Sequence, residues 1–495
     1  MHSLSSLHAF SPQHHSVRNA QSAVLRLAPA LADTLLARRQ RLAQLIDFPI
    51  LLWSGTAKAR NFAANIYPYR ASSHFLYFTG LPLENAAVRI ENDQLILFKD
   101  DTTPEEALWH GSTPSREEIA EHIGADAAYP LSELANRALG AATLGEQDET
   151  VQSLHRAMLQ RGIVIPRHRP QGNRDFEKAL VQLRMIQDDA ALGSIRMAIA
   201  VTAEAHKAGM AASFIPPSSS DIKGRVIIPT KTEAQIRAEM ESIITAHNIT
   251  CAYGSIVTVA GEVLHNHHYH NTLSVGDLLL ADVGAETNDG WAADITRTWP
   301  ISGKFSSTQR DLYDIVLAAH DFCIEKSQAG VEYQFIHLVA CQILAAGLVE
   351  LGILRGDPED LVAQDAHALF FPHGVGHLMG LDVHDMEDLG DLAGYAEGRT
   401  RSDRFGLSFL RLNRPLQAGM VVTIEPGFYQ VPAILNSRKN RDRYASIVNW
   451  ERLEQFSDVR GIRIEDDILI TEHGSEVLSR DLPTEPSAIE ELVSS

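Results

Sequence analysis

Four apolar, strand-like runs in this chain each carry a carboxylate, and this pattern restricts the fold more than any other feature of the sequence. A lone ionised carboxylate inside an apolar layer is costly unless a cation or a metal ion neutralises it. The first run is Leu278-Leu279-Leu280-Ala281-Asp282-Val283-Gly284. Twelve residues beyond Asp282, Ala292-Ala293-Asp294-Ile295-Thr296 repeats the situation. The turn-rich stretch from Glu286 to Gly290 predicts a hairpin between them, and residues of matching parity across a hairpin share a face. The third run is Val421-Val422-Thr423-Ile424-Glu425-Pro426-Gly427, and the fourth is Gly461-Ile462-Arg463-Ile464-Glu465-Asp466-Asp467. In the fourth, Arg463 and Glu465 stand on one face by the two-residue period of a strand.

A fifth piece is His373-Gly374-Val375-Gly376-His377. Two histidines four apart suit a helical metal pair, but the two glycines argue for a tight loop instead. Four strand-borne acids and a loop imidazole form the ligand set of a paired-metal site. The imidazole shifts preference from Ca²⁺ toward Mn²⁺, Co²⁺ or Zn²⁺. Each piece alone has an ordinary explanation. A strand Asp is commonly satisfied by backbone donors, Glu465-Asp466-Asp467 reads as a solvated strand end, and His265-Asn266-His267-His268-Tyr269-His270 reads as a surface tract. Co-occurrence in chain order is what points to a site. Competing chemistries leave no trace, since GxxxxGK[ST], GxGxxG, GxSxG and HExxH are all missing.

Composition narrows the partners. Of 495 residues, 45% are apolar and 21% charged, an ordinary globular balance, and at about 150 residues per domain the length suggests two or three domains. The net charge of −20 disfavours nucleic acid and anionic membrane surfaces, which reward basic patches. No uninterrupted apolar window reaches the roughly 18 residues of a membrane span. Cys251, Cys323 and Cys341 form no CxxC, so neither a disulfide framework nor a cysteine zinc site is expected, and a reducing, cytoplasmic setting fits. The first 32 residues lack Asp and Glu and carry Arg18 and Arg26, a weak likeness to a transit peptide; a frayed polar terminus is the plainer reading.

The coarse pattern predicts a helix from about Ala30, then strands at Ile50–Trp53, Val88–Ile90 and Gln94–Phe98 with a turn at Glu91-Asn92-Asp93. A short helix opens at Ser115. Pro166 to Gly172 reads as a linker, Asp175 to Met210 as one long helix, and Ser213 to Thr230 as a loop insertion. Thr232 with Gln235 predicts a capped helix to His247. Two further helices are expected near 308–329 and 333–354.

From about Asp175 to Thr471 the chain resembles the catalytic domain of the pita-bread metallopeptidases, closest to their aminopeptidase P and prolidase branch. The likeness rests on the acid-bearing runs above, on Pro372 to His377, and on Leu381-Asp382-Val383-His384-Asp385. Tyr67-Pro68-Tyr69-Arg70 and Phe75-Leu76-Tyr77-Phe78-Thr79-Gly80 are similar to the N-terminal domain of the same branch. The resemblance implies an α+β chain. It has a tail over 1–29, a mixed α/β domain over 30–174, and over 175–495 a pita-bread (creatinase/aminopeptidase) domain whose curved, mostly antiparallel sheet is flanked by helices. It implies two divalent metal ions per subunit, Mn²⁺ with Co²⁺ or Zn²⁺ as alternatives, on Asp282, Asp294, His377, Glu425 and Glu465. Asp294 and Glu465 would bridge the ions, and Glu425 would also move the proton. His265, His373 and His384 match the branch's other active-site histidines. Arg463 would brace Glu465 or substrate. The implied activity is an exopeptidase releasing the N-terminal residue from peptides with proline in second position, through a hydroxide bridging the two ions. A homo-oligomer, dimer or tetramer, is implied as well. Alternatives are an Xaa-Pro dipeptidase, a creatinase-like hydrolase without metal, and a non-catalytic binding relative.

Two departures bear on this. The Asp282–Asp294 interval is one residue longer than the family's, which an extra turn residue around Thr287 to Asp289, or a bulge, would absorb. The 40-residue interval from Glu425 to Glu465 and the segment Phe405 to Leu412 lean to prolidases, whereas the N-terminal signature and the position of His265 lean to aminopeptidase P. Arg411 is the discriminating residue. In a prolidase it would hold the free carboxylate of a C-terminal proline; in an aminopeptidase P it must bend aside or serve another acid.

Overall fold

Short apolar runs punctuated by turn residues build the first part of the protein in a computed structural model, which describes residues 29–145, 149–159, 171–216 and 231–495. The chain divides into two compact units, Met1–Asn173 and Arg174–Ser495. In the first, helix α1 (Pro29–Ala43) precedes strand β1 (Ile50–Trp53), which is buried throughout. Strands β2 (Ala86–Glu91) and β3 (Gln94–Lys99) form a two-residue hairpin in which Asn92 takes φ 55°, as the predicted turn requires. With β4 (Ala127–Tyr129) and β5 (Ala142–Thr143) they make a mixed sheet in the order β4-β3-β2-β1-β5. The predicted Phe75–Gly80 segment is helix α2 (Ser73–Thr79), buried along its length and closed by left-handed Gly80. Ser115 caps helix α3 (Arg116–Ile123) through a full capping box with Glu118.

The linker expected at Pro166 to Gly172 lies outside the described residues except for Gln171 and Gly172, which open helix α4 (Gln171–Arg184). The single helix expected from Asp175 to Met210 is two helices. It breaks between Arg184 and Asp189 because the Gln187 amide donates to Gly419 O rather than into the helix, while the Asp188 carboxylate accepts from Ala191 N and caps α5 (Asp189–Ser213). Most of the loop insertion expected at Ser213 to Thr230 lies outside the described residues.

The second unit repeats one theme twice. Helices α5 and α6 (Glu233–Ala246) pack on each other beside strands β6 (Ile256–Thr258), β7 (Leu278–Val283) and β8 (Ile295–Pro300). Helices α7 (Ser307–Lys326) and α8 (Tyr333–Glu350) do the same beside β9 (Val421–Ile424), β10 (Gly427–Tyr429), β11 (Gly461–Arg463), β12 (Asp466–Thr471) and β13 (Gly474–Val477). All these strand pairs are antiparallel. A bridge between Thr296 and Glu465 joins the two halves, and one between Leu378 and Val422 adds the Val375–Met379 segment to the edge of β9. The core runs between helices and strands, with Tyr313, Tyr333, Leu344, Phe370, Phe428 and Ile462 among its buried members. Helix α8 is apolar and long enough to cross a membrane, yet half of it is buried in this core.

Register decides where the acids stand. Asp282 pairs with Thr296, so Asp294, two residues earlier, shares its face. The β7–β8 register continues unchanged to a bridge between Glu286 and Ala292, so the long interval is absorbed in the loop at 287–291 and no bulge is needed. The β9–β12 and β10–β11 ladders also share one register, which sets Glu425 across from Glu465. The long interval between those two acids is occupied by the short helices Pro432–Leu435, Arg438–Arg443 and Trp450–Glu454.

Candidate metal centre

Asp282, Asp294, Glu425 and Glu465 project from four neighbouring strand segments toward His377 on the fifth. Asp294, His377 and Glu465 each bring a ligand atom within 4.8 Å of the others. His377 Nε2 stands 3.4 Å from Asp294 Oδ2 and 3.6 Å from Glu425 Oε1. His377 Nδ1 lies 3.0 Å from Leu378 O, a carbonyl that only accepts, so Nδ1 carries the hydrogen and Nε2 presents a lone pair. Burial keeps this imidazole neutral by lowering its pKa. An acceptor nitrogen facing two carboxylates is repulsive unless a cation lies between them, and the donor set therefore fits a metal ion.

The carboxylates give the same answer. Burial, then the Asp282 charge, pushes Asp294 up to about 7, and burial pushes Glu425 up to about 7. Burial and the neighbouring acids raise Glu465 well above the usual range. Tyr253, which stands in none of the motifs above, places its hydroxyl 2.6 Å from both Asp282 Oδ1 and Asp294 Oδ1. The single phenol hydrogen is shared between the two carboxylates, and the hydroxyl holds Asp282 and Asp294 together.

Other side chains fix the acids. Arg463, 4% exposed, donates to Asp282 Oδ2 (2.5 Å), Thr296 Oγ1 (3.0 Å) and the Tyr429 hydroxyl (3.0 Å). Thr296 Oγ1 passes its own hydrogen to Glu465 Oε2 at 2.6 Å, and the Asp294 amide donates to Asp467 Oδ2 at 3.0 Å. His377 is held by its amide to Thr423 Oγ1 (3.1 Å). The loop form of His373–His377 expected from its glycines is present. A Cβ on Gly376 would meet Thr423 O at 2.2 Å and the Tyr333 hydroxyl at 2.3 Å.

All the residues singled out from the sequence line one cavity of about 350 Å³: His265, Asp282, Asp294, His373, His377, His384, Arg411, Glu425, Arg463 and Glu465. His373 is spent within the protein, with Nδ1 on Gly374 O (2.7 Å) and Nε2 on the Tyr429 hydroxyl (2.9 Å), and burial with the Arg463 charge lowers it to about 3. His384 Nδ1 lies 2.9 Å from Glu387 Oε2. The same Glu387 pairs with Arg411, and the His384 hydrogen bond above all brings it down to about 2. The loop carrying His384 is tied down by Asp385, whose Oδ1 accepts from buried Arg184 at 2.5 Å. Tyr253, Thr296, Arg184 and Glu387 are thus site residues that the sequence reading missed. His265 is exposed at the cavity mouth, and Leu264, Pro372, Phe409 and Ile434 supply apolar lining.

A nest of buried acids around an acceptor imidazole, open to a cavity of peptide-side-chain size, defines a metal-dependent hydrolase. The chain belongs to metallopeptidase family M24, whose profile matches residues 193–472, more than half of its length. The profile of the aminopeptidase P N-terminal domain matches residues 36–150. Family membership implies divalent metal ions at the centre. Among relatives, a probable Xaa-Pro aminopeptidase of Sordaria macrospora is 31% identical over 439 residues, 86% of this chain and 87% of that protein. One of Phaeosphaeria nodorum is 32% identical over 435 residues, 86% and 87% of the two chains. Among solved structures, zinc-substituted Escherichia coli aminopeptidase P in complex with product is 28% identical and superposes with a TM-score of 0.74, covering 94% of this chain and 98% of that one. Proline aminopeptidase P II of Yersinia pestis is 29% identical with a TM-score of 0.74, covering 94% and 99%. The pita-bread fold implied by the sequence is the fold these neighbours share.

Proposed function

We propose that this chain is a metal-dependent Xaa-Pro aminopeptidase holding two divalent ions, Mn²⁺ before Co²⁺ or Zn²⁺, on Asp282, Asp294, His377, Glu425 and Glu465. The observation that carries this reading is the acceptor nitrogen of His377 aimed at Asp294 and Glu425. Divalent ions held there supply Lewis acidity, which lowers the pKa of a water toward neutrality and polarises a carbonyl.

The chain's own residues do the rest. Among the described residues the Glu425 carboxylate makes no hydrogen bond, its contacts to His377 and His373 being 3.6 and 3.7 Å, and an oxygen is available to take a proton from the attacking water. It returns that proton to the departing nitrogen, the secondary amine of proline. His384 keeps its Nδ1 hydrogen on Glu387, so Nε2 accepts when the ring is neutral and donates when it is protonated. Burial above all lowers the His384 pKa and the Glu387 hydrogen bond only partly opposes it, so donation from Nε2 to the developing oxyanion requires the ring to take up a proton in the course of the reaction. His265 contacts the peptide further along. Arg463 positions Asp282 and Glu465 rather than touching substrate, and His373 braces Tyr429. The apolar lining of Leu264, Phe409 and Ile434 accommodates a proline ring.

Arg411 favours the aminopeptidase over the dipeptidase, since Glu387 is the acid it serves. The cavity is then free to pass a chain beyond proline. Homo-oligomerisation and a cytoplasmic location complete the reading. The test compares Xaa-Pro with Xaa-Pro-Xaa at equal concentration, in the native protein and in Arg411→Ala. Faster cleavage of the tripeptide, little changed by the substitution, supports the aminopeptidase. A dipeptide preference that Arg411→Ala removes assigns the chain to the dipeptidases.

A further inference from the structure

A second cluster of ligating side chains lies outside the carboxylate centre. His337 and Cys341 are four residues apart on one face of α8, and His367 opens the short 3₁₀ turn His367–Leu369. They are 0%, 0% and 2% exposed, and each brings a ligand atom within 4.8 Å of the others. Neither ring nitrogen of His367 has a hydrogen-bond partner among the described residues, nor does His337 Nδ1. An imidazole buried with both nitrogens unsatisfied is costly. His337 Nε2 and Cys341 Sγ are 3.6 Å apart. An ion with bonds of about 2.0 Å to nitrogen and 2.3 Å to sulfur, at tetrahedral to trigonal angles, sets those atoms about 3.5–3.7 Å apart. Gly406 O, a carbonyl that only accepts, lies 2.9 Å from His337 Nε2 and takes its hydrogen when no ion is bound. Once that hydrogen is on Nδ1, which has no partner among the described residues, Nε2 offers its lone pair to an ion and Gly406 O stands at the same place. A Cβ on Gly406, at φ +94°, would meet His367 Nε2 at 2.8 Å, so the loop closes directly over the cluster. The nearby Arg404 guanidinium is balanced by Asp365 at 2.7 Å.

We infer that His337, Cys341 and His367 form a structural site for one borderline-soft d¹⁰ cation, Zn²⁺ or Cu⁺. Thiolate and imidazole donors select such ions, whereas the carboxylate centre suits harder ones. On binding, the Cys341 thiol gives its proton to solvent and its sulfur lone pair to the cation, while the His337 hydrogen moves from Nε2 to Nδ1 so that Nε2 presents its lone pair. The proposed site departs from the expectation that no cysteine zinc site exists. That expectation rested on the lack of CxxC, and a mixed set drawn from one helix and a turn 30 residues from His337 leaves no such signature. Because the three residues are sealed in the core, the ion enters as the chain folds and resists chelators that empty the open carboxylate centre.

The test uses the full chain produced in medium supplemented with zinc and copper, treated with EDTA and reloaded with Mn²⁺. Elemental analysis should find one retained equivalent of zinc or copper per chain, the element present deciding between the two ions. It should fall to zero in Cys341→Ser and in His367→Gln, with Mn²⁺ content unchanged. Protein produced with Co²⁺ should show a near-ultraviolet thiolate-to-cobalt charge-transfer band, which an all-carboxylate and histidine centre does not give. The band should vanish in Cys341→Ser and persist in Cys251→Ser and Cys323→Ser. A native chain with no retained equivalent and no band overturns the assignment, as does a band that survives Cys341→Ser. The native-chain measurements stand even if a variant fails to fold.

Discussion

Glu425 sits between two imidazoles that have committed their hydrogens elsewhere, His377 to Leu378 O and His373 to Gly374 O. That isolation leaves it free to carry a proton. Glu425→Gln keeps the volume and removes the base, so kcat should fall by about 10²–10⁴. The far-ultraviolet circular dichroism should stay native, and near-normal turnover would exclude Glu425 as proton carrier. His384 hydrogen-bonds Glu387 and packs edge-on against the His377 ring at 4.4 Å without offering an atom to the ligand cluster, so His384→Ala should lower kcat while metal content, measured by elemental analysis, stays intact. Lost metal would instead make His384 a ligand. Arg463 is the buried counter-charge of Asp282. Arg463→Met strands that carboxylate, and loss of one partner of a buried pair costs about 3–5 kcal/mol. Denaturant unfolding of the metal-free protein should show this, and an unchanged midpoint would remove Arg463 from the ligand scaffold.

Close backbone approach between strands is what brings the ligands together. The β7–β8 hairpin closes so tightly that a Cβ on Gly284 would meet Ala293 O at 1.8 Å. Neither backbone can yield without opening the ladder, so Gly284→Ala should release metal, lower the melting temperature and cost more stability than the about 1–3 kcal/mol typical of overpacking. A variant with native metal content would show that the hairpin tolerates separation. Asp282, Asp294, Glu425 and Glu465 were legible because an acid in an apolar run breaks a local rule that only function compensates. The loop form of His377 was legible from its glycines. Tyr253 and Thr296 were not, because what marks them is proximity across strands, and Tyr253 sits in no periodic pattern. Glu387 reads as an ordinary surface acid until the fold brings Arg411 beside it. The break between α4 and α5 escaped notice because helical periodicity continues through it. Its cause is a distant acceptor, Gly419 O.

At the scale of the whole molecule, the centre couples stability to protons and metal. Burial pushes Asp294 and Glu425 up to about 7, against about 3.9 and 4.3 when unfolded. Between about pH 4 and pH 7 the folded metal-free chain therefore binds more protons than the unfolded one, and its stability falls as pH rises through that window. Divalent cations offset the repulsion that remains above it. The melting temperature of metal-free protein should fall from pH 5 to pH 8, and saturating Mn²⁺ should raise it more at pH 8 than at pH 5. A metal-free melting temperature that does not change with pH would mean that the acids are neutralised by something other than protons.

The central claim is that the five clustered ligands make this chain a metal-dependent peptidase acting before proline. The most direct measurement follows release of the first residue from an Xaa-Pro-Xaa tripeptide by chelator-treated protein, before and after Mn²⁺ is restored. Loss of cleavage on chelation and its return with Mn²⁺, with no cleavage of a tripeptide lacking proline in the second position, is the predicted result. Full activity in protein shown by elemental analysis to be free of divalent metal would contradict it.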